Sequence, residues 1–295
     1  MARAAAERRT RALVVAAALL LVSGCAPRDV LNGLAPTARL TVEPAGAYGP
    51  HPRQALTVFA PPDAAGAPVV VFFYGGRWSE GRRQDYAWVG AELADRGIVA
   101  VVPDYRLYPT VRFPAFVHDA AAAVAWTRTH ISRHGGDPGR IHVMGHSAGA
   151  HIAMLLALDR RYLAPAGGSV GLAGAIGLAG PYDFLPLEAP DLRDMFGPPE
   201  RYPQSQPVAF ARGDAPPLLL IHGLADDTVW PSNTRSLARA VRSAGGRVTT
   251  RCHDGVGHAG LLAALSDPLD WLAPVRDAVV RFVTRPGNGS TDTCE

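Results

Sequence analysis

The chain has 295 residues, of which 48% are hydrophobic and 19% are charged, with a formal net charge of +3. This length and composition suit one α/β domain with a sizeable core, and they exclude a globally disordered chain. All 29 basic residues are arginines. That excludes chemistries that need a lysine amine, such as a Schiff base, a Ser–Lys dyad or a P-loop.

The N-terminal segment has the pattern of an export signal. Four arginines precede an apolar run over residues 12–22, and the run ends in the sequence VSGC at residues 22–25. An apolar run this short is typical of a secretory signal rather than of a membrane-spanning helix. The small residues before the cysteine resemble a bacterial lipobox, which predicts removal of residues 1–24 and lipidation of Cys25. The alternative is an ordinary signal peptide with a chance cysteine.

The basic character of the chain belongs to this signal. Removal of residues 1–24 takes away four arginines and one glutamate, so the net charge falls from +3 to 0. The sequence has no basic stripe with interleaved aromatic residues. We therefore expect no nucleic-acid partner.

Beyond the signal, residues 25–54 are rich in Pro, Ala and Gly and are interpreted as a tether followed by antiparallel edge strands, which extend over 55–60. Apolar β-rich runs then alternate with helical patterns, which predicts an α/β domain over 55–285 with a mostly parallel sheet and helices on both faces. The Pro-rich stretch 180–214 is predicted to be a lid or binding loop, and 286–295 a polar tail. The predicted strands are 68–74, 97–103, 140–145, 172–179, 217–222 and 247–253, and the predicted helices are 86–95, 116–134, 148–159, 232–244 and 268–283.

Residues 145–149 read GHSAG, a GxSxG pentapeptide. By itself this is a weak signal. An apolar strand runs into the pentapeptide and an alanine-rich helix leaves it, however, and a nucleophile elbow needs this strand–turn–helix context. Ser147 is therefore the predicted nucleophile, and the N–H group of Ala148 is predicted to donate to an oxyanion.

A nucleophilic serine needs a base that is held by an acid, and in this type of site the chain order is Ser, then Asp or Glu, then His. Asp226 comes just after a predicted strand, and His258 lies in a flexible loop before the last predicted helix. They are the predicted acid and base. His222, at the end of the strand before Asp226, is expected to make a structural hydrogen bond. The competing residues are His253 for the base, and Asp227 and Asp254 for the acid.

A glycine-rich loop follows the first predicted parallel strand and matches the loop that supplies oxyanion donors in lipases and esterases, with Tyr74 where histidine is usual. The oxyanion hole is predicted from Gly75, Gly76 and Arg77 together with Ala148, the donors being the N–H groups of Ala148 and of Gly76 or Arg77. The alternative is that the glycines only make a turn. The Arg77 side chain either admits an acidic acyl group or points to solvent.

Three further residues are interpreted as possible borders of a substrate pocket: Trp78, His146 and Trp230. Packing is the alternative for the two tryptophans. Asp104 and Arg106 are predicted to form an ion pair that holds a loop. No cluster of Cys, His and Asp has metal-ligand spacing and no GxGxxG follows a strand, so we expect neither a metal nor a cofactor.

Five motifs carry a family resemblance: YGGRW (74–78), PDYRLYP (103–109), HGGDP (134–138), GHSAGAH (145–151) and HGLAD (222–226). With them, residues from about 66 to 285 resemble the carboxylesterase branch of the α/β-hydrolase superfamily, which includes feruloyl-esterase-like, kynurenine-formamidase-like and isoprenylcysteine-methylesterase-like proteins. The resemblance implies the α/β-hydrolase fold and a serine esterase, but it does not fix the substrate. The departures are Tyr74 and Arg77.

The sequence therefore predicts an exported serine hydrolase of small-molecule carboxylic esters. We expect it to be anchored by a lipid on Cys25 to a membrane of a bacterial cell envelope, facing the periplasm or the surface. Hydrolysis of amides, peptides or arylformamides is the enzymatic alternative, and a non-catalytic surface lipoprotein is the alternative from another class. The acyl length, the oligomeric state and the membrane that holds the anchor stay open. Cys252 and Cys294 either pair or remain free thiols.

Overall fold

The computed structural model describes residues 27–164, 171–285 and 294. The predicted signal, Cys25 and most of the predicted polar tail lie outside the described residues. The first described element is a helix, α1 (Pro27–Leu34), within the segment interpreted as a tether. The Asn32 side chain of this helix accepts a hydrogen bond from Trp88 N and donates one to Gln84 O. This part of the segment is therefore docked on the domain.

Strands and helices alternate along the rest of the described chain. The strands are β1 (Thr41–Ala47), β2 (Ala55–Ala60), β3 (Ala67–Phe73), β4 (Val99–Pro103), β5 (Gly136–His146), β6 (Gly174–Leu178), β7 (Leu218–Gly223) and β8 (Val248–His253). The helices are α2 (Ala87–Ala94), α3 (Ala115–His130), α4 (Ala148–Leu158), α5 (Arg160–Leu163), α6 (Pro190–Phe196), α7 (Ser232–Ser243), α8 (His258–Ala263) and α9 (Val275–Thr284).

The described strands form one eight-stranded sheet in the order β1-β2-β4-β3-β5-β6-β7-β8. Strand β2 pairs antiparallel with β1 and β4, and every other neighbouring pair is parallel. Every residue of β4, β6 and β7 is buried, so both faces of the central sheet are covered, as a parallel sheet requires. The predicted α/β-hydrolase fold is confirmed. The carboxyl ends of β3, β5 and β7 meet at one edge, where ligands bind in open α/β sheets.

One predicted helix is wrong in its first half. The pattern predicts a helix over 268–283, but Asp267–Leu272 is a 3₁₀ turn and α9 begins only at Val275. Between them Ala273 is extended, with φ −166° and ψ 149°. It precedes Pro274, and the proline ring disfavours helical backbone at the preceding residue.

A disulfide joins Cys252 in β8 to Cys294. Of the two possibilities that the sequence leaves open, the structure has the paired one. The Arg235 side chain in α7 also donates a hydrogen bond of 3.0 Å to the carbonyl oxygen of Cys294. The described end of the chain is thus fastened to the edge strand beside β7.

Removal of this disulfide should lower the free energy of unfolding. The cysteines are 42 residues apart, and closing a loop of about that length is worth up to roughly 4 kcal/mol in the chain-entropy model. We expect the Cys252→Ser, Cys294→Ser double variant to unfold at a lower urea concentration than the oxidised protein. Reductant should shift only the wild type. Equal midpoints for the oxidised wild type and the double variant would contradict the prediction.

Candidate active site

Ser147 occupies a sharp turn between β5 and α4. Its backbone has φ 54° and ψ −124°, a positive φ that is uncommon for a residue other than glycine. The turn is held because Ser147 N donates to Leu178 O at 2.9 Å, while its carbonyl accepts from Ala150 N and His151 N. This is the strained geometry of a nucleophile elbow, which projects the serine from the sheet edge at a helix N-terminus.

The elbow is pressed against the end of β3. A Cβ on Gly149 would lie 2.0 Å from the Phe73 carbonyl oxygen, so this position has no room for a side chain. The loop after β3 then passes beside the serine, because a Cβ on Gly75 would lie 3.1 Å from the Cβ of Ser147. The predicted oxyanion loop and the predicted nucleophile are therefore neighbours.

The oxyanion loop turns tightly around Gly76, whose carbonyl oxygen accepts from Ser79 N and Glu80 N at 3.0 and 2.8 Å. Arg77 follows with a positive φ of 51°. Among the described residues, the N–H groups of Gly76, Arg77 and Ala148 donate to no other group. Ala148 is the first residue of α4, where a helix leaves its N–H groups unpaired. These N–H groups are thus available to a ligand.

Asp226 and His258 form a hydrogen-bonded pair. His258 Nδ1 lies 2.7 Å from Asp226 Oδ2, while Asp226 Oδ1 accepts from the N–H groups of Thr228 and Val229. Burial tends to raise the pKa of Asp226, but hydrogen bonds from His222, His258 and Val229 outweigh it and hold the pKa well below its usual range. Asp226 is thus an anion, and Nδ1 of His258 carries the hydrogen.

His146 connects the elbow to His258. Its ring centroid lies 4.6 Å from that of His258, and its Nε2–H donates to the carbonyl oxygen of His258 at 3.1 Å. Burial lowers the pKa of His146 to about 3, so this imidazole is neutral. The sequence predicts His146 as a possible border of the substrate pocket. In the structure it is a buried contact between β5 and α8.

The structure thus brings the elbow, the oxyanion loop and the Asp226–His258 pair to one edge of the sheet. His258 is the first residue of α8 rather than part of a flexible loop. Among the described residues, Ser147 Oγ makes no hydrogen bond with His258. Contacts between catalytic groups are often long without substrate and shorten in the reacting complex.

A family assignment follows from sequence comparison. The profile of the BD-FAE family matches residues 56–241, which include the oxyanion loop, the elbow and Asp226. The chain belongs to the BD-FAE family. The match covers more than half of the chain, and it confirms the resemblance drawn from the five motifs.

Three proteins to which this BD-FAE family member is similar are named as esterases. It is 30% identical to an isoprenylcysteine alpha-carbonyl methylesterase of Arabidopsis thaliana over 75% of this chain and 57% of that protein. It is 33% identical to esterase LipC of Mycobacterium tuberculosis over 66% of this chain and 54% of that protein. The chain thus spans a little over half the length of these relatives. The solved structure of Thermogutta terrifontis esterase 2 phosphorylated by paraoxon is 26% identical, covers 87% of this chain and 97% of that chain, and has a TM-score of 0.69.

The two tryptophans that the sequence predicts as possible pocket residues of this BD-FAE protein differ in their exposure to solvent. Trp78 is buried, and its ring centroid lies 5.9 Å from that of Phe184 and 4.9 Å from that of Phe196. The stretch predicted to be a lid or binding loop therefore contacts the oxyanion loop through both phenylalanines. Trp230 is 70% exposed on the loop after Asp226. Its role in a pocket stays a prediction.

The Arg77 side chain has a partner that the sequence did not indicate. Its guanidinium donates to both carboxylate oxygens of Asp191 in α6, at 3.0 to 3.1 Å. Both side chains are about half exposed, at 53% and 44%. Arg77 therefore faces α6 across the solvent-exposed side of the oxyanion loop. A surface pair of this kind contributes little to stability.

Tyr74 occupies the position where lipases and esterases usually have histidine, and its contacts anchor the start of the oxyanion loop. Its hydroxyl donates to Asp104 Oδ1 at 2.7 Å and accepts from Arg53 Nη2 at 2.8 Å. Its ring stacks on Tyr86 at 5.1 Å and Tyr105 at 4.8 Å between centroids. The ring is fully buried, so these contacts fix the start of the oxyanion loop.

The expected ion pair between Asp104 and Arg106 is wrong. Asp104 pairs instead with Arg83, and Arg106 pairs with Asp119 at 2.6 Å. Both carboxylates are buried and each takes an arginine that the fold brings close. Sequence proximity alone does not identify such a partner.

The Tyr74→Phe variant should lower the free energy of unfolding by about 1–3 kcal/mol, because Asp104 and Arg53 each lose the hydrogen bond that they make with the Tyr74 hydroxyl. Tyr86→Phe is the matched control, since its ring stacks on the same residue and its hydroxyl makes no hydrogen bond within the described chain. Urea unfolding measures both variants. A loss for Tyr86→Phe as large as that for Tyr74→Phe would contradict the role of the Tyr74 hydroxyl.

The described residues contain no group of three or more His, Cys, Asp or Glu side chains that could hold a metal ion. No helix within residues 27–164 and 171–285 is long and apolar enough to cross a membrane.

Proposed function

We propose that this protein is a carboxylic ester hydrolase in which Ser147, His258 and Asp226 act as a catalytic triad. The observation that carries the proposal is the 2.7 Å hydrogen bond between His258 Nδ1 and the buried Asp226, beside a serine in a strained elbow. The esterases to which the chain is similar support ester hydrolysis.

The reaction begins when Ser147 Oγ attacks the acyl carbon and His258 Nε2 takes the serine proton. The N–H groups of Ala148 and of Gly76 or Arg77 stabilise the oxyanion that forms. The intermediate collapses to an acyl-enzyme, and His258 gives the proton to the departing alcohol. Water then attacks the acyl carbon, His258 takes its proton and returns it to Ser147, and the carboxylic acid leaves. Ester and water become acid and alcohol, and the enzyme is regenerated.

Asp226 serves this cycle as an anion. His258 carries a positive charge while it holds the serine or water proton, and the adjacent carboxylate stabilises that charge. The hydrogen bonds to both oxygens keep Asp226 ionised and fix its orientation. The proton stays on His258, because a carboxyl with so low a pKa does not take it.

The proposal is tested by covalent labelling followed by a substrate panel. We expect paraoxon or a fluorophosphonate to inactivate the protein with one adduct per chain, located on Ser147 by peptide mass analysis. A series of p-nitrophenyl esters of rising acyl length should then give the preferred acyl group, with matched anilides and arylformamides run beside it. An unlabelled, inactive protein would support a non-catalytic role. Faster turnover of amides or formamides would replace ester hydrolysis as the function.

We also propose that the protein is exported and anchored through a lipid on Cys25. The basic start, the apolar run and the VSGC sequence support this, and a disulfide between Cys252 and Cys294 is expected to persist in an oxidising compartment. Cys25→Ser should abolish partitioning into the detergent phase and remove the acyl mass from the N-terminal peptide. Unchanged partitioning without acyl mass on Cys25 would contradict the anchor.

A further inference from the structure

A second imidazole contacts the carboxylate of Asp226. His222 lies in β7, four residues before Asp226, and its Nε2 is 3.2 Å from Asp226 Oδ2. This is the same oxygen that binds His258 Nδ1 at 2.7 Å. The side chains of both His222 and Asp226 are fully buried. One oxygen of the proposed catalytic acid is therefore shared between two histidines.

The partners of His222 determine which ring nitrogen carries the hydrogen. Nε2 faces two acceptors, the carbonyl oxygen of Val229 at 2.8 Å and Oδ2 of Asp226. Neither acceptor has a hydrogen to give, so the hydrogen is on Nε2. Nδ1 lies 2.8 Å from Thr234 Oγ1 in α7, and in the neutral ring it accepts the hydroxyl hydrogen. The ring is thus held from both sides.

Val229 connects His222 to the rest of the site. Its N–H binds Asp226 Oδ1 and its carbonyl binds His222 Nε2. The loop from Asp226 to Val229 therefore wraps around the Asp226 carboxylate, and the imidazole of His222 packs against one side of that carboxylate. Rotation of the carboxylate would break contacts on both oxygens.

We propose that His222 is a positioning residue for the reaction: its Nε2–H shares Oδ2 of Asp226 with His258 and limits how strongly that oxygen holds the catalytic histidine. The inference rests on the proposed function, because it assumes that Asp226 and His258 act together. An oxygen that accepts two N–H groups binds each of them less strongly than it would bind one. Loss of the His222 donor should therefore make His258 easier to protonate.

The other titratable groups around His258 are few. His146 of β5 contacts its ring and remains neutral, because burial lowers the pKa of His146 to about 3. From β7 and the loop after it come His222 and Asp226. Asp227 and Asp254 are exposed on the flanking loops. A change in the pH profile after substitution of His222 is therefore assigned to the shared oxygen.

Three variants separate this role from simple packing. His222→Gln keeps an N–H near the position of Nε2, whereas His222→Asn reaches only to the position of Nδ1. Thr234→Val is the matched control, because it removes the partner of Nδ1 and leaves the Nε2 donor in place. Each variant is assayed with p-nitrophenyl acetate from pH 5 to 9, and folding is followed by thermal unfolding.

We expect His222→Asn to lower kcat about threefold at pH 6 while KM changes little, because a shift of half a unit lowers the unprotonated fraction of the base by at most about that factor. The acidic limb of kcat/KM, which reports protonation of the essential base, should move to higher pH by roughly half a unit. His222→Gln and Thr234→Val should retain the wild-type limb and stay within about 1.5-fold of the wild-type kcat. The proposal is overturned if His222→Asn folds without moving the limb, or if Asn and Gln behave alike.

If the His222→Asn variant does not fold, the wild-type protein still allows a test, because the tautomer of His222 can be measured directly. In protein labelled with ¹⁵N-histidine, the His222 ring is assigned by its absence from the His222→Gln spectrum. We expect a protonated Nε2 and an unprotonated Nδ1 at neutral pH. Hydrogen on Nδ1 alone would overturn the proposal. If Asp226→Ala retains esterase activity, the proposed function fails instead, and the tautomer of His222 still reports whether the shared contact exists.

Discussion

The Ser147→Ala variant should lose ester hydrolysis almost completely, with kcat lower by roughly 10⁶ and the fold intact. The variant cannot form an acyl-enzyme, and only the oxyanion donors and substrate binding remain to accelerate attack by water. Initial rates with p-nitrophenyl acetate measure the loss. Because the substitution removes one oxygen from a half-buried turn, circular dichroism should match that of the wild type.

The control for this experiment is Ser243→Ala, which changes an exposed serine at the end of α7. It should retain wild-type kcat and react with a fluorophosphonate, whereas the Ser147→Ala variant should remain unlabelled. Turnover above about one per cent of wild type, in protein free of contaminating esterase, would show that Ser147 is not the nucleophile.

The second large effect distinguishes two adjacent aspartates. We expect Asp226→Ala to lower kcat by roughly 10⁴ and Asp227→Ala to change it by less than about threefold. Asp226 is buried and accepts the His258 hydrogen bond, whereas the Asp227 side chain is exposed and, within the described chain, hydrogen-bonds only with the hydroxyl of Thr228. Steady-state rates of the two variants measure the difference. His258→Ala should be about as damaging as Ser147→Ala.

The outcome that contradicts this assignment is a reversal of the pair. If Asp227→Ala proves more damaging than Asp226→Ala, the reacting complex uses a different carboxylate from the one that contacts His258 here. His253→Ala serves as the control for the histidine, because His253 lies in β8 and is absent from the hydrogen bonds of Asp226. It should retain most of the activity.

The central sheet could be predicted from sequence because its strands are continuous apolar runs. All six of the strands predicted from 68–74 to 247–253 occur in the structure, since a strand buried on both faces has little freedom in composition. The short helices in Pro-rich stretches have no comparable apolar pattern, so the sequence did not predict them. Helices α1 and α6 lie in the stretches interpreted as a tether and as a lid or binding loop, and α6 is held by the burial of Met195 and Phe196.

Part of the candidate site could be predicted from the sequence because its residues follow predicted strands. Ser147 and Asp226 follow strands whose ends meet at one edge, so topology alone brings their backbones together. Contacts between side chains far apart in sequence could not be predicted. The pairing of Arg77 with Asp191 depends on where α6 packs, as does the contact of Trp78 with Phe196. The position of His222, four residues before the acid, is visible in the sequence. Whether its side chain reaches the carboxylate depends on how tightly the loop between them closes.

The bond between Cys252 and Cys294 turns the C-terminal part of the chain into a covalent ring. That ring includes His258 and all of α9, whose Val275 and Val279 are packed in the core. A single cut by a protease anywhere inside the ring would open it without releasing a fragment. His258 would stay joined to β8 before it and to α9 after it, so a nicked molecule would gain only the mass of one water and would keep the proposed active site together until the disulfide is reduced.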